Sequence, residues 1–499
     1  MASERAPAGR PAHGGLARPA ASEAIGLAAL LLDAPDLPDE LVFFAGTWVG
    51  RDELEAGATD LVAALRDVGV QPGDVVASLV PTSPAAVAAM FGVWAAGAAL
   101  LPLNVRLTPG ERAQAMTEVR PAAVVELEDD RLSVVPAPDA QPVDPEIALV
   151  LYTSGTTGRP KPVMLRHRSV LAGIDAVLDT IGLRAAAKRS APMPNLVPFS
   201  LNLWSGLYNV CFSLRVGAPI VLMRAFEPRE FAGLVRRFGI KSSVLAPGML
   251  AMLLDDSGVT DLAPLRFVRN ATAPLSPERA RAFRERFGVA VLNGYGQSEL
   301  GGEIVGWNAA DAREFADTKL GAVGRPHPGI EVGIRGEGDE HLPAGEVGEV
   351  CVRSPYVMAG YLAADVSAAR FTTDGLLRTG DLGRFDHDGF LWLEGRRSEL
   401  INRSGLKVFP GEVEETLREH AAVADVAVAA MPDDRLGEVP WAFVVPRTGA
   451  TLDDAELESY ARERLAPYKV PARFVTVDSL PRNEVGKVVR RELQARFST

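Results

Sequence analysis

The sequence contains the segment Thr153-Ser154-Gly155-Thr156-Thr157-Gly158-Arg159-Pro160-Lys161, directly after the uncharged run Ile147–Tyr152. The apolar run predicts a buried strand. Glycine accepts backbone angles that other residues resist, so the amide N–H groups of the following loop can turn toward an anion. Because the loop also offers hydroxyl donors and a lysine, the segment predicts a phosphate-binding site. A Ser/Thr/Gly surface turn is the alternative that the loop alone leaves open.

The loop differs from the common nucleoside-triphosphate loop G-x-x-x-x-G-K-[ST], which continues directly into a helix. Here Pro160 precedes the lysine and Pro162 follows it. Proline stiffens the backbone and stops a helix from continuing through the segment. The sequence therefore predicts a phosphate site of another class.

Composition indicates a soluble globular protein with more than one domain. The chain has 499 residues, of which 47% are hydrophobic and 23% are charged, and this length exceeds one ordinary core. The formal net charge of −12 argues against a nucleic-acid partner or an anionic membrane surface. Local donors must therefore attract any anionic nucleotide. The two cysteines, Cys211 and Cys351, lack metal-ligand spacing, so we expect a reduced, cytoplasmic setting.

Two segments bear on targeting. Residues 1–22 are rich in Ala, Pro, Gly, Ser and Arg and have no apolar core, which predicts a flexible tail rather than a signal peptide. Residues 75–103 carry no charge, but the turn Pro81–Pro84 divides them into a short strand and a helix. Ser83 as N-cap with Pro84 in the first turn is typical of a helix start. We therefore expect a buried strand–helix pair and no membrane span.

The order of elements predicts an α/β fold. In the first two-thirds of the chain, short Val/Leu/Ala runs alternate with Ala-rich amphipathic segments, which is typical of parallel strands joined by helices. Residues 320–395 contain strand-like pieces between Gly/Pro/Asp turns, which predicts a small antiparallel section. The rest predicts a compact α+β unit with helices Gly411–Glu419 and Asp453–Leu465 and strands Val423–Ala430 and Trp441–Val445.

Five other segments follow the phosphate loop. They are Asn293-Gly294-Tyr295-Gly296-Gln297-Ser298-Glu299, Gly345-Glu346-Val347-Gly348-Glu349 leading to Gly360-Tyr361-Leu362, Thr379-Gly380-Asp381, Gly395-Arg396-Arg397-Ser398-Glu399-Leu400-Ile401, and Pro481-Arg482-Asn483-Glu484-Val485-Gly486-Lys487. Together with the loop, these segments resemble, in order, the motifs of the adenylate-forming superfamily: acyl- and aryl-CoA synthetases, firefly luciferase and peptide-synthetase adenylation domains. The resemblance extends from about residue 40 to the C-terminus.

The resemblance implies a fold and a division into domains. It implies a large N-terminal domain with two α/β subdomains and a small β-barrel-like section, followed by a small, mobile α+β C-terminal domain. We place a flexible tail at residues 1–22, the ATP- and acid-binding domain at 23–395 and the mobile domain at 396–499. Ser398 is the implied hinge.

The resemblance also implies a reaction. The family joins a carboxylic acid to ATP as an acyl-adenylate, so the site must neutralise the phosphates and the developing pyrophosphate. Magnesium prefers one or two carboxylates together with phosphate oxygens. Glu299 with Thr157 is the implied metal site, and both are implied catalytic residues; without the motif, an isolated glutamate is usually a solvated surface residue. The implied ATP and AMP contacts are Thr153, Ser154, Gly155, Thr156, Gly158, Lys161, Asn293, Gly294, Tyr295, Ser298, Asp381 and Arg396.

Individual roles follow from the same resemblance. Tyr295 would lie against the adenine, since an aromatic face suits a base. Asp381 would accept hydrogen bonds from the ribose hydroxyls, and Arg396 would reach the ribose or a phosphate. A turn aspartate and a surface arginine are the structural alternatives.

The family uses its C-terminal domain twice. Lys487, the third implied catalytic residue, would lie over the reacting carboxylate and the α-phosphate, where a compact ammonium on a long stem fits. The domain would then turn about Ser398 and bring the face around Gly405 and Lys407 to the site for attack by the CoA thiolate. Gly405 would let the pantetheine arm pass close to the backbone, although a plain turn glycine is equally consistent with the sequence.

The chain departs from the family pattern in four places, two single residues and two segments. Pro162 replaces the usual glycine after the lysine, which removes an N–H, and Ser398 replaces the usual Asp or Lys at the hinge. The segment Pro198–Trp204 lacks the histidine of Pro-x-x-His, and Ala271-Thr272-Ala273-Pro274-Leu275 replaces Gly-Gly-Ala-Pro-Leu. None of these changes removes a phosphate or metal group.

The departure at Pro198–Trp204 bears on which class of acid binds. Amino-acid-activating relatives carry an acidic residue where this chain has Ser200, and a buried ammonium without a counter-charge is unfavourable. We therefore predict a non-amino acid, either aryl, fatty or polycyclic. Its candidate contacts are Asn202, Trp204, Ala271, Thr272 and Ala273; core packing of Leu203, Trp204 and Leu207 is the alternative.

The leading hypothesis is an AMP-forming acid–CoA ligase that performs both half-reactions with ATP, Mg²⁺ and coenzyme A. A ligase that loads a carrier protein or an amine is the second hypothesis, and we expect any carrier to be a separate chain. The third is a thiol-acyl transferase that uses acyl-adenylate made by a partner enzyme. A non-enzymatic nucleotide sensor is the remaining class.

Overall fold

The computed structural model describes residues 26–129, 131–153, 161–183, 192–273, 275–362, 370–482 and 487–497. It confirms the α/β fold class. Two large hydrophobic cores lie before residue 395, and each combines residues of helices and strands. A further core begins at Ile401 and belongs to the C-terminal unit.

The largest sheet carries the predicted phosphate loop. Its strands lie in the order Gly360–Tyr361, Lys161–Arg166, Ile147–Thr153, Ala99–Pro102, Val75–Ser78, Ala123–Glu128 and Arg131–Pro136. The inner strands pair in parallel, whereas Ile147–Thr153 pairs antiparallel with Lys161–Arg166. The phosphate loop is therefore the connection of a β-hairpin. A helix, His167–Thr180, begins only after the second strand of this hairpin, as the two prolines predict.

A second α/β unit consists of two smaller sheets. The first has the order Thr47–Gly50, Glu40–Phe44, Ile220–Leu222 and Asn195–Val197. The second is parallel and contains Ser242–Leu245, Phe267–Asn270 and Ala290–Asn293. Asn270 and Asn293 are partners at its carboxyl end, the end at which open parallel sheets bind ligands.

Two antiparallel sheets follow. One contains Tyr295–Gln297, Gly302–Gly306 and Arg325–Pro326, and the other contains Glu331–Arg335, Gly348–Arg353, Leu377–Phe385 and Leu391–Arg396. The predicted antiparallel section is confirmed, but it is an open sheet and not barrel-like. Within the described residues, the outer strands Glu331–Arg335 and Leu391–Arg396 pair with inner strands and not with each other.

The C-terminal unit is a sheet with helices, as predicted. Its strands are Leu406–Val408, Ile401–Arg403, Gly437–Pro446 and Val423–Asp433, and Arg473–Thr476 pairs in parallel with Gly437–Pro446. The hairpin strands Val423–Asp433 and Gly437–Pro446 extend beyond their predicted bounds because they pair continuously up to a short turn.

The helices predicted after Ser83, at Gly411–Glu419 and at Asp453–Leu465 are found, and the structure adds the others. The helices are Ala29–Leu32, Arg51–Asp67, Pro84–Ala95, Pro109–Val119, His167–Thr180, Trp204–Val216, Pro228–Phe238, Pro247–Asp255, Pro277–Phe287, Ala309–Phe315, Pro410–Arg418, Asp454–Arg464 and Arg490–Phe497.

The uncharged segment forms the predicted strand–helix pair. The Ser83 hydroxyl accepts a hydrogen bond from the Ala86 N–H at 3.3 Å and caps the buried helix Pro84–Ala95. A Cβ at Gly92 would come 2.8 Å from the Ala58 carbonyl oxygen, so glycine allows this helix to pack closely on Arg51–Asp67. Among the described residues, no helix combines the length and apolar character needed to cross a bilayer.

Candidate active site

The phosphate loop is fixed at both ends. Thr153 and Lys161 are direct partners across the hairpin, so the loop begins and ends at one point of the sheet. Lys161 Nζ lies 5.8 Å from the ring centroid of Tyr361, which places a cation at the end of the loop. The predicted contacts within the loop lie outside the described residues and stay predictions: Ser154, Gly155, Thr156, Thr157 and Gly158.

Pro162 belongs to the strand after the loop. It is the partner of Tyr152 across the hairpin, and its carbonyl accepts a hydrogen bond from the Leu362 N–H at 3.0 Å. In an antiparallel pair, the nitrogen and the carbonyl of one residue point to the same neighbouring strand. The nitrogen of Pro162 therefore also faces the short edge strand Gly360–Tyr361. The missing N–H is therefore lost at the sheet edge, where proline is tolerated.

Glu299 lies in a short 3-10 helix, Ser298–Leu300, and its side chain is 12% exposed. The Tyr361 hydroxyl donates to Glu299 Oε1 at 3.3 Å, and Arg370 Nη2 lies 3.9 Å from the same oxygen. Arg370 also donates to the Tyr361 hydroxyl at 3.0 Å. Burial, followed by the charge of Glu299, raises the pKa of Tyr361, so this hydroxyl remains a donor. Tyr361 thus joins the predicted metal ligand to Lys161.

Asp381 is the centre of a second cluster. The Tyr295 hydroxyl donates to its Oδ2 at 2.8 Å, and Gln297 Nε2 donates to the same oxygen at 2.6 Å. Arg396 Nε lies 3.1 Å from Oδ1. Burial, followed by Asp381, raises the pKa of Tyr295 well above its usual range. The carboxylate is therefore oriented from both sides before any ribose reaches it.

Asn293 and Gly294 lie at the carboxyl end of the parallel sheet. The Asn270 amide donates to Asn293 Oδ1 at 2.8 Å, and Asn293 is buried. A Cβ at Gly294 would come 2.6 Å from Glu303 Oε2, so a larger residue here would have to displace the Glu303 carboxylate. Ser298 begins the 3-10 helix that carries Glu299.

Lys487 reaches this site from the C-terminal unit. Burial lowers its pKa, and Arg396 lowers it further, whereas Asp381, Glu399 and Glu299 oppose the shift. The ammonium therefore lies within electrostatic range of both clusters. The structure thus brings together Lys161, Glu299, Asp381, Arg396 and Lys487, which come from distant parts of the sequence.

The chain on either side of Ser398 is anchored to different units. Arg397 Nη1 donates to the buried Glu349 at 3.0 Å on the N-terminal side. On the other side, Arg490 Nη1 donates to Glu399 at 2.8 Å, and Arg490 Nη2 donates to Glu414 at 2.7 Å. The exposed Ser398 is the residue between the two anchors.

The glycine of the predicted thiol-approach face, Gly405, is explained by the local backbone conformation. Arg403 pairs with Leu406 across a hairpin, and Gly405 has φ +90° in its turn. A two-residue hairpin turn favours glycine at positive φ, so the turn-glycine alternative accounts for Gly405. Lys407 Nζ lies 3.6 Å from the exposed Glu337. In this conformation the face contacts the small antiparallel section.

The predicted acid site combines a helix start and a loop. Trp204 begins the helix Trp204–Val216, and its ring lies edge-on to Tyr208, with 5.5 Å between centroids. The Asn202 N–H donates to the Ser200 hydroxyl at 3.2 Å, and Thr82 donates to the same hydroxyl at 3.3 Å. The loop after Asn270 contains Ala271, Thr272 and Ala273, with Thr272 at φ +75°.

Two family models match the chain. Residues 33–362 match the AMP-binding enzyme family, and residues 412–487 match the AMP-binding enzyme C-terminal domain. This chain belongs to the AMP-binding enzyme family. The predicted membership in the adenylate-forming superfamily is therefore confirmed.

Curated relatives of this AMP-binding enzyme match along most of their length. A fatty acid–[acyl-carrier-protein] ligase, ScoC, from Streptomyces coeruleorubidus is 33% identical, and the match covers 91% of this chain and 93% of the relative. A feruloyl-CoA synthase from an Amycolatopsis species is 32% identical, with 91% and 94% covered.

Solved structures support the same fold. ATP-bound MatB from Rhodopseudomonas palustris superimposes with a TM-score of 0.84 at 27% identity, over 95% of this chain and 99% of that chain. The amide bond synthetase McbA from Marinactinospora thermotolerans has a TM-score of 0.83 at 30% identity, with the same coverage.

The donor set of this AMP-binding enzyme fits a magnesium nucleotide. The cations Lys161, Arg370, Arg396 and Lys487 suit a chain of phosphates. The described residues contain no group of three or more His, Cys, Asp or Glu that could hold a metal alone. Magnesium needs only one or two carboxylates when phosphate oxygens complete its coordination, and Glu299 supplies one. Glu299 would hold the ion, which would neutralise phosphate charge.

Three members of the two clusters were not predicted from the sequence. Gln297 lay within a quoted motif but was given no role, although it donates to Asp381. Tyr361 is the middle residue of the motif Gly360-Tyr361-Leu362, and its position there was an available signal. Arg370 had no such signal, because it belongs to none of the quoted motifs and its contact with Tyr361 arises only in the folded chain.

The lowered pKa of Lys487 predicts a pH dependence. Adenylation needs the ammonium form, so its kcat/KM should fall on raising the pH, at a lower pH than for a lysine with the ordinary value of 10.5. Lys487→Arg should move this alkaline limb upward, even at a lower maximal rate, because arginine stays protonated. Pyrophosphate exchange between about pH 6 and pH 10 tests this, since kcat/KM reports groups of the free enzyme. An unchanged limb in Lys487→Arg would assign it to another group.

Proposed function

We propose that this AMP-binding enzyme activates a carboxylic acid with ATP as an acyl-adenylate and transfers the acyl group to the thiol of coenzyme A. ATP, Mg²⁺ and coenzyme A are the cofactors of this reaction class. The observation that carries the proposal is that Lys487, on the C-terminal unit, lies within electrostatic range of Arg396 and of the carboxylates Asp381 and Glu299. A cation from the C-terminal unit is thereby held where an anionic acid and an anionic phosphate would meet.

In the first half-reaction, a carboxylate oxygen of the acid attacks the α-phosphorus of ATP, and the bond to the β-phosphate breaks. The electron pair of that bond leaves with pyrophosphate. Lys487 neutralises charge on the carboxylate and the α-phosphate as they approach. Lys161 and the phosphate loop bind the β- and γ-phosphates, and Arg396 holds the ribose side with Asp381. Such preorganised charge is usually the largest single contribution to catalysis.

In the second half-reaction, the thiolate of coenzyme A attacks the acyl carbon, and the bond to the AMP oxygen breaks. The C-terminal unit turns about Ser398, which removes Lys487 and brings the face around Gly405 and Lys407 to the acyl group. The separate anchoring of Arg397 and Glu399 supports a pivot between them.

The acid carries no ammonium beside its carboxylate in this proposal. The segment Pro198–Tyr208 contains no acidic residue, and Ser200 is occupied by hydrogen bonds with Thr82 and Asn202. An ammonium there would lack a counter-charge. Calorimetric binding of an α-amino acid, with apolar acids inert, would contradict this assignment.

A second candidate is a ligase with another acceptor. Its support is that one 33% identical relative is named a ligase for an acyl-carrier protein and one 30% identical structure is an amide bond synthetase. The acceptor would then be a separate carrier protein or an amine. A third candidate takes acyl-adenylate from a partner enzyme.

Two assays on the full chain separate these functions. Pyrophosphate exchange across a panel of aryl, fatty and polycyclic acids measures the first half-reaction. Transfer from synthetic acyl-adenylate to coenzyme A, a carrier protein or an amine measures the second. We expect exchange with at least one acid and transfer to coenzyme A. Silent exchange with active transfer would replace the proposal with the third candidate, and transfer to the carrier or amine alone would replace it with the second.

The domain bounds 1–22, 23–395 and 396–499 and the cytoplasmic location stay predictions. The sheet that ends at Arg396 and the sheet that begins with Ile401–Arg403 support a boundary near residue 396.

A further inference from the structure

Three buried polar atoms near the predicted acid site have no hydrogen-bond partner among the described residues. They are the Tyr208 hydroxyl, Asn270 Oδ1 and Thr272 Oγ1. Buried polar atoms in folded proteins are nearly always paired, and an exception calls for an explanation such as a bound molecule. Tyr208 is the most informative of the three because its long, rigid side chain fixes where the hydroxyl lies.

The ring of Tyr208 is held on three sides. Along the helix Trp204–Val216, Trp204 and Phe212 precede and follow it by four residues, with centroid separations of 5.5 and 6.5 Å. On the third side, a Cβ at Gly302 would come 3.0 Å from Tyr208 Cε2, and Gly302 has φ +143°. Gly302 begins the strand that follows Glu299 by three residues. The ring therefore lies between the predicted acid contact Trp204 and the strand next to the metal ligand.

The charges beside this hydroxyl balance one another. Glu303 forms an ion pair with Arg269, and its Oε1 also lies 3.1 Å from His327 Nε2. Burial raises the pKa of Glu303, but Arg269 and His327 outweigh burial, and the net pKa is lowered. Burial, followed by the charge of Glu303, raises the pKa of Tyr208. The hydroxyl is therefore a neutral donor beside a carboxylate whose charge is already compensated.

This arrangement limits what can pair with the hydroxyl. A cationic group would be repelled by the positive charge of Arg269, and an anionic group would be repelled by the negative charge of Glu303. A neutral acceptor, such as a hydroxyl, methoxy, carbonyl or ring-nitrogen atom, meets neither objection. A plain alkyl chain would leave the buried hydroxyl unpaired, which is unfavourable. Trp204 and Tyr208 pack edge-on against each other, and together they line this region with aromatic surface on which an aryl ring can pack.

We propose that Tyr208 determines substrate specificity, and that its hydroxyl donates a hydrogen bond to a neutral acceptor atom at the end of an aryl acid distant from the carboxylate. The inference rests on the proposed function and narrows its acid from aryl, fatty or polycyclic to an aryl acid with a polar substituent. Sites built to bind a polar group reject analogues that lack it far more strongly than apolar pockets reject extra atoms.

The test compares matched acids. Benzoic, cinnamic and naphthoic acids are each assayed by pyrophosphate exchange as the unsubstituted acid and as ring-hydroxylated, methoxylated and aza forms, beside saturated fatty acids. We expect wild type to prefer at least one polar-substituted acid over its unsubstituted parent by about tenfold or more in kcat/KM. Tyr208→Phe, which removes one oxygen, should reduce that preference ratio to near one.

Controls separate recognition from folding. Tyr460→Phe removes a tyrosine hydroxyl on the helix Asp454–Arg464 in the C-terminal unit and should leave the ratio unchanged. If Tyr208→Phe lowered kcat/KM equally for all acids, the role of Tyr208 would be structural and the proposal would be overturned. The comparison of acids with the wild-type enzyme does not depend on any variant. If wild type preferred fatty acids, or showed no preference for polar-substituted aryl acids, that result alone would overturn the proposal. If exchange occurs but the ratio is unaffected by Tyr208→Phe, this inference alone fails. If no acid supports exchange, the proposed function fails with it.

Discussion

Lys487→Ala is expected to lower the rate of acyl-adenylate formation by about 10²–10³-fold, the range for removing one preorganised charge donor. The half-buried ammonium lies within electrostatic range of Arg396, Asp381 and Glu299, and alanine leaves the approaching carboxylate and phosphate without that charge. Thioester formation from synthetic acyl-adenylate and coenzyme A should stay within a few-fold of wild type, because Lys487 has left the site by then. The measurement is pyrophosphate exchange beside thioester formation on the same preparations.

Lys469→Ala is the matched control. Lys469 is a C-terminal lysine that forms an ion pair with Glu412 at 2.5 Å, and it belongs to neither cluster. Its loss should change neither half-reaction. If Lys487→Ala lost both half-reactions equally while remaining folded, the two roles assigned to the C-terminal unit would be wrong.

Glu299→Gln is expected to weaken the use of Mg²⁺ in adenylation, with a loss of about 10²-fold at limiting Mg²⁺. Glutamine keeps the shape of the side chain and its contact with the Tyr361 hydroxyl, but it removes the negative charge that would bind the ion. Raising the Mg²⁺ concentration should recover part of the lost rate, so the concentration that gives half-maximal exchange should rise. This increase distinguishes loss of a metal ligand from general damage to the site.

Glu331→Gln provides the comparison for Glu299→Gln. Glu331 is exposed and forms an ion pair with Arg353 at 2.9 Å. The Mg²⁺ dependence of adenylation by the Glu331→Gln enzyme should therefore match that of wild type. A Glu299→Gln enzyme with a lower rate but an unchanged Mg²⁺ midpoint would remove Glu299 from the metal site.

Local chemistry made the elements predictable. The prolines around Lys161 predicted that no helix continues directly from the phosphate loop, and a hairpin strand is found there. The Ser83–Pro84 pair predicted a helix start, and Ser83 caps the helix. These features depend on a few neighbouring residues, so the sequence carries them directly.

Contacts between residues far apart in the sequence were harder to predict. Tyr295 was expected to lie against a base, and the structure adds a hydrogen bond from its hydroxyl to Asp381, 86 residues away. The Arg269–Glu303–His327 group was not anticipated, because its members are separated along the chain and follow no motif. Such pairs depend on which strands become neighbours, and periodicity along the chain does not carry that information.

The anchoring of Arg397 and Glu399 to opposite units leaves about one residue, roughly 3.8 Å of chain, to absorb the rotation that we propose for the C-terminal unit. Within the described residues, the Ser398 side chain makes no hydrogen bond that would favour one orientation. The property under constraint at this position is therefore the length of the connection rather than the identity of its side chain. Serine at this position is therefore compatible with the proposed rotation, whereas one inserted residue would lengthen the connection and make the placement of Lys487 less precise.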